Sequence, residues 1–282
     1  NAIAEWIHRD YVGLRAMNAN AGSIVFAGLM PHAPVLIPEV GQGREREAGE
    51  VVDALHELSR RALRQSPDRL VVVSPHSPRR PYSFGIWAAS RIAGDLSRFR
   101  SPEVTIDLPT DPDFSRRLKP VTWPISGETL DHGASVPLYF LTRAGWDGPT
   151  TLLSLNYPGD GGLTEFAQAV RTAAANSPGK TVFIASGDMS HALQPGAPGG
   201  YHPRAQEFDR TFVGLVKAGR YHDITAIDPA LQHLAAEDVV DSTLLAAAAV
   251  DWQTTGHEFL AYQGPFGVGY SVAVLFDRRD DE

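Results

Sequence analysis

Short apolar runs alternating with longer segments of helical periodicity constrain this chain more than any other feature. The runs fall at residues 24–30, 70–73, 84–89, 104–108, 151–155, 182–185 and 269–276. Between them, residues 45–65, 163–175, 205–218 and 238–252 place apolar side chains at helical spacing and predict at least four substantial helices. Gly and Pro punctuate the joints. Strands alternating with helices in this way predict an α/β fold, a single domain whose sheet is flanked by helices on both faces. That domain is expected over residues 23–282, with residues 1–22 as an N-terminal arm. A Gly- and Pro-rich stretch at 195–203 reads as a loop or lid.

Composition narrows the function. With 282 residues, 43% of them apolar and no shift that marks a linker, the chain can bury one large core. Lys and Arg number 25 against 33 Asp and Glu, so the formal net charge of -8 repels nucleic acid and favours a small-molecule partner. There are no cysteines. Disulfides, thiolate zinc sites and cysteine nucleophiles are therefore excluded, and His, Asp and Glu remain as the strong metal ligands. No apolar run approaches the ~18 residues that span a bilayer. Glu5, His8, Arg9 and Asp10 interrupt any apolar centre of a secretory signal near the N-terminus, so a cytoplasmic protein is expected.

Ligands of open α/β sheets bind outside the carboxyl ends of the strands. Three histidines fall there: His32 after the first run, His76 after the second, and His191 after the run at 182–185. Two neutral imidazoles and one carboxylate on one face of a divalent ion make the facial triad of oxygen-activating iron(II), with positions left open for substrate and dioxygen. A base outside the ligand set must then take and return protons, and His191 is the candidate. Position alone leaves Asp188, Glu237, Asp238 and Glu258 open as the carboxylate. His202, in a glycine-rich loop, is a candidate for the pocket entrance, with Trp123 and Phe266 as candidate walls. His233 reads as a surface residue, and His8, His56, His222 and His257 as structural or solvated. Gly179-Lys180-Thr181 lacks the first glycine of a phosphate loop and precedes a strand. Neither a His-Glu-x-x-His nor a Gly-x-Ser-x-Gly motif is present, which disfavours zinc peptidases and serine hydrolases.

Five short motifs in order then carry a resemblance. They are Met30-Pro31-His32-Ala33-Pro34, Ser74-Pro75-His76-Ser77, Asp131-His132-Gly133 with Val136-Pro137-Leu138, Ser186-Gly187-Asp188-Met189-Ser190-His191, and Gly264 to Tyr270. Together they resemble the class III extradiol ring-cleaving dioxygenases, typified by the catalytic subunit of protocatechuate 4,5-dioxygenase, and the Memo-like proteins on the same fold. The resemblance implies a mixed central β-sheet flanked by helices on both faces, and iron(II) held by His32, His76 and Glu237. It implies His191 as acid and base and His132 as a second catalytic and substrate-binding histidine beside the substrate hydroxyl. A catecholic or aminophenolic substrate and O2 would be the partners, with a homodimer or a small second subunit as the assembly. Where many relatives carry Cys-Gly after the glutamate, this chain has Asp238-Val239. The same resemblance leaves room for a Memo-like protein without ring cleavage, or for a metal-dependent hydrolase.

Overall fold

Alternate residues of a strand leave on opposite faces, and in this sheet both directions lead into apolar layers. The computed structural model describes residues 22–157 and 161–278. In β1 (Ser23–Met30), Ala27 and Leu29 enter one layer while Phe26 and Met30 enter the other. In β2 (Arg69–Ser74) the split is Val71 and Val73 against Leu70 and Val72. Such strands need helices on both sides, because neither face tolerates water.

Among the described residues the central sheet has eight strands. The others are β3 (Phe84–Trp87), β6 (Thr122–Ile125), β7 (Thr150–Ser154), β8 (Lys180–Ser186), β9 (Glu258–Gln263) and β10 (Tyr270–Asp277). Their order is β6-β3-β7-β2-β8-β1-β10-β9. Strands β7, β2, β8 and β1 run parallel, and β3 and β10 run against them. The carboxyl ends of four adjacent strands therefore open on one edge of a single α/β domain. β4 (Arg91–Leu96) and β5 (Ser101–Pro109) stand apart as a hairpin. The run at 104–108 thus forms a strand, but outside the central sheet. It buries Val104, Ile106 and Leu108 and exposes Thr105 and Asp107, the pattern of a one-sided ribbon.

Helices α1 (Pro38–Gly41) and α2 (Gly49–Arg64) follow β1. α2 buries Val51, Ala54, Leu55, Leu58 and Ala62, an i, i+3, i+4, i+7 stripe, and shares its layer with α4 (His132–Arg143) and the hairpin. Each large apolar side chain so buried contributes roughly 1.5–3 kcal/mol. α3 (Pro112–Leu118), α5 (Leu163–Ala175), α6 (Ala205–Lys217) and α8 (Val240–Ala249) cover the opposite face, joined by α7 (Pro229–Ala235). Periodicity did not reveal α4, and its burial explains why. Residues 133–141 are all buried, so no polar stripe marks the helix, and Pro137 lies inside it. Residues 195–203 form an irregular loop, as expected. Residues 1–21, most of the expected arm, lie outside the described part. No helix of the described residues is long and apolar enough to cross a membrane.

Candidate metal centre

The parallel strands deliver polar residues to one point. His32 lies two residues beyond β1, His76 two beyond β2, and Asp188 two beyond β8, while His132 is the first residue of α4. The Nε2 atoms of His32 and His76 are 3.0 Å apart. Asp238 Oδ2 lies 3.4 Å from the first and 3.2 Å from the second. The His132 ring centre is 4.1 Å from that of His76 and 5.4 Å from that of His32. One nitrogen from each of the three imidazoles falls within a 4.8 Å cluster.

Hydrogen bonds behind these groups fix their orientation. Ser186, the last residue of β8, donates its hydroxyl to the Gly133 carbonyl at 2.5 Å. It must then accept from His32 Nδ1–H, 2.9 Å away, so Nε2 is the ring nitrogen that would carry the lone pair toward the site in the neutral imidazole. Asp131 binds both neighbours of this cluster. Its Oδ1 accepts from the Ser74 hydroxyl at 2.5 Å and caps α4 through Ala134 N–H at 3.0 Å. Its Oδ2 accepts from Ser77 at 2.6 Å, and Ser77 in turn accepts from Trp87 Nε1 at 3.2 Å. One carboxylate therefore ties the His76 turn to the helix that begins with His132. The turn presses close: a Cβ at Gly133 would stand 2.4 Å from Ser74 Oγ and 3.2 Å from His76 Cδ2, so only glycine fits.

Electrostatics follow from burial opposed by charge. Burial alone would lower His32, but the Asp188 and Asp238 carboxylates overcome it and push the imidazole up to about 9 in the metal-free protein. Burial and the adjacent His76 and His32 take His132 down to about 4, so this ring stays neutral. Asp238 is held well below the usual carboxylate range: burial works against ionisation, and the His32 and His76 rings outweigh it. Asp188, buried, is raised.

The carboxylate at the two imidazoles is that of Asp238, where Glu237 was expected. Glu237 Oε2 instead accepts from Val239 N–H at 2.8 Å and Val240 N–H at 2.9 Å, at the start of α8. Burial pushes its carboxyl up to about 8. The cause is backbone conformation. α7 stops at Ala235, and Ala236 takes φ 53°, a left-handed turn that no sequence period announces. His233 is exposed on α7, and that helix ends before Glu237.

A family model for the catalytic LigB subunit of aromatic ring-opening dioxygenases matches residues 27–273, which contain every residue of this cluster. The chain belongs to that family. Among curated relatives, the LigB-type chain is 27% identical over 266 residues to Protein CA_C1420 of Clostridium acetobutylicum; the match covers 88% of the chain but only 56% of that protein. Among solved structures it superposes on the uncharacterized protein JW3007 of Escherichia coli K12 with a TM-score of 0.53 at 17% identity, covering 88% of this chain and 98% of that one. The second likeness concerns the fold alone.

The LigB family typically uses a metal, and the donors present here suit one. Neutral imidazole nitrogen and carboxylate oxygen are the ligand types of non-haem iron and of zinc alike. His191 lies beyond this group. Its N–H donates to Ala235 O at 2.8 Å, and its Nδ1 is buried without a hydrogen-bond partner among the described residues. His202 sits in the loop that pairs with the His191 turn, through Gly199 N–H to His191 O and His202 N–H to Ala192 O. Its Nδ1 accepts from Arg204 N–H at 3.2 Å within its own loop. Trp123 lies under the Arg80 guanidinium and Phe266 under that of Arg44. Residues whose roles the sequence did not announce are Asp131, Ser186 and Asp209. Asp209 accepts from Ser190 N–H at 3.0 Å and Tyr262 Oη–H at 2.6 Å, directly beneath the His191 turn. For Asp131 a signal existed, since an Asp ahead of a buried helical run is a ready cap.

Proposed function

We propose that this LigB-type chain is a non-haem iron(II) extradiol dioxygenase that opens the ring of a catecholic or aminophenolic substrate with O2. The observation that carries this reading is the convergence of His32, His76 and an adjacent carboxylate at the carboxyl edge of the sheet, within a family of ring-opening dioxygenases. When bound, iron(II) would supply two-point attachment of the substrate oxygens and activation of dioxygen. His32 and His76, with a carboxylate from the Glu237-Asp238 pair, would hold it.

The remaining steps belong to side chains. His191, on the turn after β8, takes the proton of a substrate hydroxyl as the substrate seats and returns it during ring opening. His132, kept neutral by burial and its two histidine neighbours, donates a hydrogen bond to a substrate oxygen and stabilises charge developing there. A neutral donor does this without repelling the cation. Phe99, whose ring centre is 5.6 Å from that of His132, supplies an apolar wall against an aromatic ring.

Oxygen uptake by anaerobically iron(II)-loaded protein, followed across a panel of catechols and aminophenols, tests the reading. Uptake coupled to a yellow ring-opened product is the expected outcome. Loaded protein that consumes no oxygen with any member would remove ring cleavage and favour hydrolysis or ligand binding at the same centre.

A further inference from the structure

The reading above leaves two adjacent carboxylates to choose between, and the geometry points to one: we propose that Asp238, and not Glu237, closes the metal site with His32 and His76. This assignment rests on the metal-dependent reading of the centre.

Donors on one face of an octahedral ion, with bonds of about 2.1 Å at right angles, stand about 3.0 Å from one another. Here the three separations are 3.0 Å between the imidazole nitrogens and 3.2 and 3.4 Å from each to Asp238 Oδ2. The triangle is therefore already close to the size an ion requires. His132 sits outside it, within the wider 4.8 Å cluster, which suits a residue facing substrate.

Asp238 is also held in this pose. Its Oδ1 accepts from Asp188 N–H at 2.7 Å, and its own N–H donates to Asp188 O at 3.2 Å. Asp188 Oδ1 in turn accepts from His32 N–H at 2.8 Å. This reciprocal brace uses one oxygen of Asp238 and aims the other at the two imidazoles, the arrangement by which hydrogen bonds orient a ligating carboxylate. The brace requires the two turns to touch. A Cβ at Gly187 would lie 2.5 Å from Val239 Cα, so the glycine before Asp188 permits the contact.

Glu237 is engaged elsewhere. Turning it toward the imidazoles would release the buried N–H groups of Val239 and Val240 at the head of α8 from the acceptor they share. Its carboxylate completes a helix end, and Asp238 completes the site.

Cobalt(II) binding to the metal-free protein, measured by equilibrium dialysis and absorption spectroscopy, tests the assignment without reference to turnover. The unaltered protein takes up one equivalent. Asp238→Asn weakens binding ~100-fold or more, beyond the loss typical of a residue that only orients a ligand. Glu237→Gln, which keeps an acceptor for the two amides, stays within about threefold of the unaltered protein. Because the natural chain has no cysteine, Asp238→Cys gives a thiolate-to-cobalt charge-transfer band in the near ultraviolet, and Glu237→Cys does not. A band in Glu237→Cys alone, or loss of cobalt in Glu237→Gln with retention in Asp238→Asn, would overturn the choice of Asp238 while sparing the metal centre. Failure of the unaltered protein to bind cobalt, iron or zinc would overturn both.

Discussion

Asp238 and Asp209, two carboxylates withdrawn from solvent to different degrees, have opposite electrostatic fates. Asp238 faces two imidazoles and is held ionised. Asp209, fully buried, accepts from one backbone amide and one tyrosine hydroxyl, and burial pushes it up to about 6. Both are anchored by short hydrogen bonds, so anchoring alone does not separate a ligand from a structural post. What separates them is the partner: rings that can coordinate an ion beside Asp238, donors that can only stay where they are beside Asp209. A buried charge kept ionised by neutralisable bases is poised for a cation.

His191 lies within electrostatic reach of both Asp188 and Asp209, so its replacement tests the divide most severely. His191→Ala should cut turnover about 10²–10⁴-fold, the range for losing a general acid and base, while cobalt or iron stoichiometry stays at one. A simultaneous loss of metal would place His191 on the ligand side and erase the distinction.

Asp131 sharpens the comparison from the metal side, because it orients His76 and His132 without facing the ion. Asp131→Ala removes a helix cap and strands the Ser74 and Ser77 hydroxyls, at about 3 kcal/mol of stability by urea unfolding. Asp131→Asn should recover part of this.

The smallest effect concerns Asp209 and carries a sign. With the carboxyl pushed up to about 6, the folded protein retains a proton that the unfolded chain, titrating near 4, has released. The contribution of Asp209 to stability is thus greatest below pH ~4 and falls as pH rises through about 6, by at most about 3 kcal/mol. Asp209→Asn should flatten that interval, read as the difference in urea midpoint between variant and unaltered protein from pH 4 to 7. An unchanged slope would mean that Asp209 ionises freely and resembles Asp238 after all.

The strands that form the heart of the sheet were readable because both of their faces are buried: Leu70 to Val73 and Val182 to Ala185 are unbroken apolar runs. β6 and β9 at the two sheet edges, and β4 in the hairpin, were not. Pro124, Glu258 and Gly94 interrupt them, and one-sided strands need no continuous hydrophobicity. At the site, His32 and His76 could be placed from the chain alone because a strand end fixes where the next residues emerge. The choice between Glu237 and Asp238 could not. It turns on the left-handed conformation of Ala236 and on contact with a loop some 50 residues away in sequence, at Asp188. A one-residue change in direction there exchanges the roles of neighbouring carboxylates, and only tertiary contact decides it.

The strand order has a consequence in time as well as in space. β1 pairs with β8 and β10, so the first strand is flanked by chain made much later, and the His32 N–H is matched by an acceptor 156 positions away. During synthesis the imidazoles of His32 and His76 emerge first, and the carboxylate at 238 leaves the ribosome well over a hundred residues later. An ion needing all three donors would find them together only once the sheet had closed. Metal uptake followed during refolding would then report the completion of the fold, and stalled chains would remain empty.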